Sequence, residues 1–293
     1  MKVTPLHEVI PDGRRRRVAI GTFDGVHRGH REVIRGSDTV LTFEPHPSTV
    51  VRPQATPQLL NSLSVKRDLI GGLGVQELVV IPFDREFASK DAEHFVNEVL
   101  VGKLDAEVVS VGDNFHFGKG ARGTPDFLRS HDEFETRVVP LVEVGGEPVS
   151  STRIRGLVEG GDVAAASELL GGPFLFDGEV VHGDKRGREL GIPTANLVPD
   201  PALVCPAHGV YAAWAHGRPA AVNVGVRPTF GSGKMLLVEA YLLDFDGDLY
   251  GEHLRIGFIE RLRGEEHFDS VDDLIAQMQR DVERTREICA QLP

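Results

Sequence analysis

Short apolar runs recur through the first half of the chain, at residues 18–21, 39–43, 78–83, 108–112 and 138–142. They are four to six residues long and rich in Val and Ile, which suits strands buried on both faces of a parallel sheet. Polar segments with helical spacing lie between them; residues 91–100, for example, put Phe95, Val96, Val99 and Leu100 on one helical face. The alternation predicts an α/β domain with a parallel sheet. From about residue 174 the texture changes to extended runs at 178–182, 210–215, 220–226, 236–243 and 254–259, broken by Gly, Asp and Pro. With no helix-like segment between them, consecutive strands are expected to pair antiparallel in a small sandwich or barrel, of which the barrel is the reading adopted.

Asp246-Gly247, between Leu243 and Leu249, is a hairpin-turn signal. The chain then closes with a predicted amphipathic helix that Ser270 caps, with Asp273 three residues on in the manner of a capping box. Its expected apolar stripe is Val271, Leu274, Ile275, Met278, Val282, Ile288, Cys289 and Leu292, packed on its own domain. Leu169-Leu170-Gly171-Gly172-Pro173 reads as a helix end and linker, so two domains are expected, 1–172 and 173–293. A length of 293 residues agrees with about two domains.

Charge narrows the partners. Forty-four acids against 32 bases leave a net charge of −12, which argues against bulk attraction to nucleic acid, so an anionic ligand must be held by a local site. The basic run 14–17 reads as a solvated charge run. No secretory signal is expected behind it, since the apolar residues 18–20 already give way to Gly21 and Asp24. The longest uncharged stretch, 201–217, holds Pro206, His208 and His216 and reads poorly as a membrane span. Cys205 and Cys289 suggest neither a disulfide framework nor a zinc site. The expectation is a cytoplasmic protein with no membrane partner, for which self-association stays open.

The first candidate chemistry follows the first strand. GTFDGVHRGH, residues 21–30, puts glycines, an acid and two histidines at a strand-to-helix turn. In an open parallel sheet, ligands sit at the carboxyl ends of strands, and a helix start offers free N–H groups to phosphate. Gly25 and Gly29 would let a ligand approach the backbone, and His27 and His30, three apart, can point the same way. A histidine pair alone also fits a surface or core role; zinc is poorly supported, with no neighbouring cysteine and no HExxH. Ser150-Ser151-Thr152-Arg153-Ile154-Arg155 leads into a helix-like stretch, and alone would be an ordinary N-cap.

Together, HxGH and SSTRIR resemble the HxGH nucleotidyltransferase superfamily. The segments TFEPHPSTVVRP (42–53) and VGDNFHFGKGARG (111–123) look like those of bacterial FMN adenylyltransferases. The resemblance implies a Rossmann-like fold in which His27, His30 and Arg155 stabilise the phosphates of ATP while an FMN phosphate oxygen attacks the α-phosphate. It assigns Gly21, Phe23, Asp24, Gly29, Asn114, Ser150, Ser151 and Thr152 to the nucleotide, and His46 and Arg52 to the flavin. Twelve residues separate His30 from Phe43, which leaves room only for a trimmed first helix.

The second constellation is GEVVHGDKRGRELGIPTANL, residues 178–197. A glycine-rich loop with Lys185, Arg186 and Arg188 can wrap a polyphosphate, although alone it also fits a surface hairpin. Thr194 and Asn196, two apart, share a face if extended and could hold Mg²⁺ through neutral oxygens. The PTAN tetrad resembles riboflavin kinase, as do AAVNVGVRPTFG (220–231) and residues 238–270. That likeness implies Glu239 as general base toward the ribityl hydroxyl, Gly183, Lys185, Gly187, Thr194 and Asn196 at the nucleotide, and Asn223 and Arg263 at the flavin. From about residue 17 to 289 the chain resembles the bifunctional bacterial riboflavin kinase/FMN adenylyltransferase family, which implies riboflavin, FMN and ATP as small-molecule substrates, FMN and FAD as products, and Mg²⁺. A different HxGH adenylyltransferase, a chain with the kinase activity alone, and a nucleotide-binding protein without turnover are the rival readings.

Overall fold

A computed structural model describes residues 1–182, 192–228 and 234–291. The chain forms two compact units. The first is Met1–Pro57 with Leu63–Ser151; the second is Gln58–Ser62 with Thr152–Pro293.

The first unit is built on a six-stranded sheet of β1 (Lys2–Pro5), β2 (Arg16–Ile20), β3 (Thr39–Glu44), β4 (Glu77–Pro82), β5 (Ala106–Gly112) and β6 (Glu135–Val139). Its order is β1-β4-β3-β2-β5-β6, and every pairing is parallel. Alternating residues feed two cores. Val18, Ile20, Leu41, Phe43, Val79 and Ile81 pack on one face with the π-helix Phe95–Lys103, while Ala19, Val40, Leu78 and Val80 pack on the other with Val33, Ile34 and Ile70. Burial on both faces is why these strands read as unbroken apolar runs. The short edge strand β1 carries no such run and was not legible.

The connections on this unit include α1 (Arg28–Ile34), α2 (Pro47–Val51), α3 (Leu63–Gly71), α4 (Arg85–Ala88), α5 (Ala92–His94) and α6 (Pro125–Arg129), and a two-stranded antiparallel ladder of β7 (Glu143–Val144) and β8 (Glu147–Pro148) follows β6. At seven residues, α1 is as short as the spacing from His30 to Phe43 requires. In the basic run Arg15 and Arg17 are exposed, as expected of a solvated run, and the departure is at Arg16. Arg16 is 3% exposed and pairs with buried Glu77, while Arg14 pairs with Asp38 and Arg17 Nε donates to the Gly36 carbonyl. A guanidinium can be buried there because carboxylates and carbonyls accept its donors.

Two helices, α7 (Ser151–Glu159) and α8 (Val163–Leu170), precede the barrel, and Gly171 ends α8 in the left-handed conformation that glycine adopts without penalty. The second unit closes strands β9 (Phe174–Val181), β10 (Ala195–Leu197), β11 (Gly209–Ala215), β12 (Arg218–Pro228), β13 (Lys234–Leu242) and β14 (His253–Arg263) into a barrel of order β10-β13-β12-β11-β14-β9, antiparallel throughout. Phe174, Phe176, Tyr211 and Phe258 are fully buried and pack ring to ring. A separate segment completes this unit: Leu59 bridges Leu203, and Ser62 Oγ donates to buried Asp177 at 2.9 Å. The Asp246-Gly247 signal is not a hairpin. Its flanking strands β13 and β14 are not neighbours in the barrel, so the segment crosses between them as a longer loop.

The last helix, α9 (Val271–Ala290), begins at Ser270, whose Oγ accepts from the Asp273 N–H at 3.1 Å. Its buried face shares Ile288 and Cys289 with the expected stripe but adds Asp281 and Thr285, while Leu274, Ile275, Met278 and Val282 are half-buried and Val271 is 59% exposed; Leu292 lies outside the described residues. Asp281 is buried because it receives the Arg263 guanidinium through Nε and Nη2, an ion pair that an apolar-stripe reading passes over.

Candidate functional sites

In the first unit the chain leaves β2 toward β3 and β4, then returns to β5 and β6 on the other side of β2. The carboxyl ends of β2 and β5 therefore flank the point where strand order reverses, the place where an open α/β sheet offers a crevice. The two loops there are the motif-bearing ones: residues 21–30 follow β2, and Asn114 follows β5.

The turn after β2 is held by two non-glycine residues in the left-handed region, Phe23 (φ 49) and Val26 (φ 44), each at a cost of about 1–2 kcal/mol. Phe23 is buried beside Gly21, with its ring edge-on to His30 at 5.4 Å. His27 and His30 stack with centroids 3.5 Å apart and planes 16° from parallel. His27 caps α1, its Nδ1 accepting from the His30 N–H at 3.3 Å. One of the helix-start N–H groups expected to face phosphate is thus already taken. Nδ1 acting as an acceptor leaves the proton of a neutral His27 on Nε2, a donor suited to a phosphate oxygen. A Cβ at Gly29 would press on the His27 ring at 3.2 Å, so a side chain there would have to shift the imidazole.

Burial pushes the His27 imidazole down to about 4. Burial also holds His30 well below the usual histidine value, helped by the neighbouring His27 and by Lys66. Both rings are therefore neutral near pH 7 and act as dipolar donors. Asp24 is 2% exposed, and its carbonyl accepts from Ser151 Oγ at 2.9 Å. Lys66, on α3, is 3% exposed and lies within the electrostatic reach of Asp24 and Glu44; burial lowers its pKa against their pull. Sequence reasoning missed it. The available signal was a lysine four positions before Ile70, on the buried side of its helix.

The remaining residues assigned to this site are spread along the chain. His46 caps α2, its Nδ1 accepting from the Ser48 N–H, and Arg52 is exposed at the far end of that helix. Asn114 and Ser150 are exposed. Thr152 and Arg155 belong to the second unit, on α7, where Arg155 Nη1 donates to Thr152 Oγ1 at 3.4 Å.

On the barrel the register gathers what the sequence kept apart. Asn196 on β10 is the direct partner of Glu239 on β13, which is the partner of Asn223 on β12, itself the partner of Val210 on β11, which faces Arg263 on β14. Direct partners point to the same side of a sheet, so four predicted residues lie on one ring of the barrel. Asn223 Nδ2 donates to Glu239 Oε2 at 3.2 Å. Arg263 turns its guanidinium to Asp281 and lies over the Phe268 ring.

A cavity of about 430 Å³ adjoins this ring and is lined by Thr194 and Asn196 together with the loop Phe245, Asp246, Gly247, Asp248, Leu249 and Tyr250. Sequence reasoning read that loop only as a turn. Glu239 lies outside the lining, across the ladder from Asn196. Gly183, Lys185 and Gly187 lie outside the described residues.

A parallel-sheet unit with a paired-histidine turn at its switch point, joined to a closed barrel carrying a carboxylate beside a cavity, defines a two-site transferase class. The riboflavin kinase family matches residues 170–289 and the FAD synthetase family residues 10–153. The bifunctional riboflavin kinase/FMN adenylyltransferase of Escherichia coli K12 is 37% identical, over 92% of this chain and 91% of that one. Its namesake from Pseudomonas fluorescens is 37% identical over 98% and 97%, and that from Bacillus subtilis 34% over 95% and 94%. A solved structure described as a macrolide-efflux protein from Streptococcus pneumoniae superposes with a TM-score of 0.86, at 31% identity, over 98% of this chain and 99% of that one. Among the described residues no helix is long and apolar enough to cross a membrane. The chain belongs to the bifunctional riboflavin kinase/FMN adenylyltransferase family.

Proposed function

We propose that the two activities of this family are divided between the two constellations, with phosphoryl transfer on the barrel in a domain 173–293 and adenylyl transfer on the parallel sheet in a domain 1–172. As a family member the chain phosphorylates riboflavin to FMN and adenylylates FMN to FAD, using ATP in both steps. The observation that carries the kinase assignment is the ring on which Asn196, Glu239 and Asn223 are direct partners beside the cavity.

In the kinase step a neutral alcohol must lose a proton as it attacks the γ-phosphate, and Glu239 is the carboxylate available to accept it. Asn223 restrains that carboxylate, and Thr194 and Asn196 border the cavity assigned to the nucleotide. Asn223 and Arg263, on the same ring, are assigned to the flavin side. The site fits Mg²⁺ held chiefly by phosphates: it supplies neutral oxygens from Thr194 and Asn196, and no cluster of three or more His, Cys, Asp or Glu is found among the described residues. When bound, Mg²⁺ would neutralise charge on the phosphates.

The adenylyl step needs no base, because an FMN phosphate oxygen is already ionised at neutral pH. Its requirements are alignment and charge stabilisation. His27 and His30, neutral and stacked, are assigned to hydrogen-bond the phosphates, with Gly21, Phe23, Asp24 and Gly29 shaping the turn. Arg155, Ser150, Ser151 and Thr152 join them on the strength of the SSTRIR motif, and Asn114, His46 and Arg52 on the strength of theirs. The enzyme is read as cytoplasmic, and its net charge of −12 argues against nucleic-acid partners held by bulk attraction.

The test is incubation of the purified chain with riboflavin, ATP and Mg²⁺, with riboflavin, FMN and FAD resolved by chromatography. Accumulation of both FMN and FAD is expected; FMN without FAD would remove the adenylyl assignment.

A further inference from the structure

Each carbonyl at the far end of α1, from Arg31 to Gly36, accepts a hydrogen bond. The Arg35 N–H reaches the Arg31 carbonyl at 2.9 Å, and the Ser37 N–H reaches that of Ile34 at 2.9 Å. The other four take side chains from the sheet. Ser110 Oγ on β5 donates to the Val33 carbonyl at 2.7 Å, and Arg17 Nε on β2 donates to that of Gly36 at 2.8 Å. Arg137 on β6 serves two carbonyls, donating from Nη2 to Glu32 at 3.0 Å and from Nη1 to Arg35. The helix they hold has seven residues, a length at which an isolated helix is marginal.

A helix commonly ends locally on a residue in the left-handed region, and Gly36 (φ 77) supplies one here. Ser110 and Arg137 are additions to that ending, reaching α1 across 77 and 102–105 positions of sequence. They are direct partners on the β5–β6 ladder, so they stand side by side on one face of the sheet. Ser110 is 1% exposed, and burial keeps water from replacing its hydroxyl at the Val33 carbonyl. Arg137 adds a cation where the helix dipole is negative.

Val33 and Ile34 fasten α1 to the sheet by apolar burial, which has no preferred direction, whereas hydrogen bonds have one. The opposite end of α1 carries His27 as its cap and His30 in its first turn. We propose that Ser110 and Arg137 are positioning residues for adenylyl transfer, fixing the axis of α1 and through it the direction in which the two imidazoles meet the phosphates. This rests on the reading of His27 and His30 as the phosphate-facing pair. Seven residues make a lever about 10 Å long, so a tilt of about 10° at the clamped end moves the first turn by about 2 Å. Misplacement by about 1 Å can cost about 10²-fold in rate. Ser110 also lies on the strand that leads to Asn114, so β5 sets both the histidine turn and the second loop assigned to the nucleotide.

The experiment compares full-length wild-type enzyme with S110A, R137M and V109A, each assayed well below its unfolding midpoint. Val109 precedes Ser110 on β5 and is fully buried in the core on the opposite face, so V109A loosens the unit without touching the clamp. S110A should lower kcat for FAD formation by about 10-fold and R137M by about 3-fold or more, with KM for FMN within about twofold of wild type, the pattern of an interaction lost only in the transition state. V109A should keep kcat within about twofold at a comparable loss of thermal midpoint. FMN formation from riboflavin should be unchanged in all three variants.

A folded S110A with the wild-type kcat overturns the proposal, as does V109A losing as much kcat as S110A, which would make the effect one of general loosening. A rise in KM for FMN with kcat unchanged also overturns it. If S110A does not fold, R137M decides, since Arg137 lies nearer solvent and water can reach the carbonyls it leaves. Persistence of FAD formation in the H27A/H30A double variant would instead overturn the reading of the histidine pair, a separate result.

Discussion

Asn196 and Glu239 face one another across the β10–β13 ladder, and Asn196 lines the cavity that Glu239 does not. Asn196 thus links the space assigned to the nucleotide with the strand position of the carboxylate assigned to the attacking alcohol. Direct phosphoryl transfer to a hydroxyl needs those two groups close together.

Replacing Glu239 by Gln keeps size and hydrogen-bonding reach but removes the basic oxygen. Phosphorylation of riboflavin should fall by about 10²-fold or more with flavin affinity nearly unchanged, measured by FMN production and by flavin fluorescence titration. Near-normal turnover would take Glu239 out of its role. Asn223→Ala, which releases the carboxylate from its 3.2 Å contact, should show a smaller loss of the same kind.

Alanine at both His27 and His30 should abolish FAD formation and spare FMN formation, because the histidine turn and the Asn196–Glu239–Asn223 ring lie in different units. Chromatography of the products measures both at once. Loss of both activities in a folded variant would contradict the division of labour.

The stacked histidines also predict how the first unit responds to acid. His27 has its folded value lowered to about 4 from an ordinary 6.5, and His30 is shifted the same way. Below the ordinary value the unfolded chain binds protons that the folded His27 ring refuses, so the stability is fully present above about pH 6.5 and is lost as pH falls toward 4, and His30 acts in the same direction. Urea midpoints at pH 7 and pH 5 should show this loss in wild type and a smaller one in the His27→Phe, His30→Phe double variant, if it folds.

Asp281 receives Arg263 at 2.9 Å, and the two side chains are 8% and 15% exposed. Asp281→Ala leaves a guanidinium nearly enclosed without its partner, and should destabilise the barrel unit by about 3 kcal/mol. Thermal unfolding monitored at Trp214, on β11 of that unit, checks this; an unchanged midpoint would mean the pair contributes nothing net.

Much of this architecture was legible because buried parallel strands announce themselves as apolar runs, and because HxGH and PTAN place their side chains within a few residues of one another. The ring on the barrel was not legible. Asn196, Glu239, Asn223 and Arg263 are brought together by strand register across β10, β13, β12, β11 and β14, which no local spacing encodes. Three-residue β10 is too short to show a period, and the Asp246-Gly247 signal, sound as turn chemistry, says nothing about whether the flanking strands are neighbours. Lys66 escaped for the opposite reason: a charge on a helix is ordinarily solvated, and the two acids whose charge reaches it, Asp24 and Glu44, lie on other elements.

The bridge from Leu59 to Leu203 has a consequence for synthesis on the ribosome. Gln58 Nε2 donates to the Pro201 carbonyl across 143 positions of sequence, so this small piece of the barrel unit emerges long before the strands it joins. During translation, Gln58–Ser62 must wait as an unsatisfied tether while the rest of its unit is made. A gene split between the two family segments would strand those residues on the wrong polypeptide.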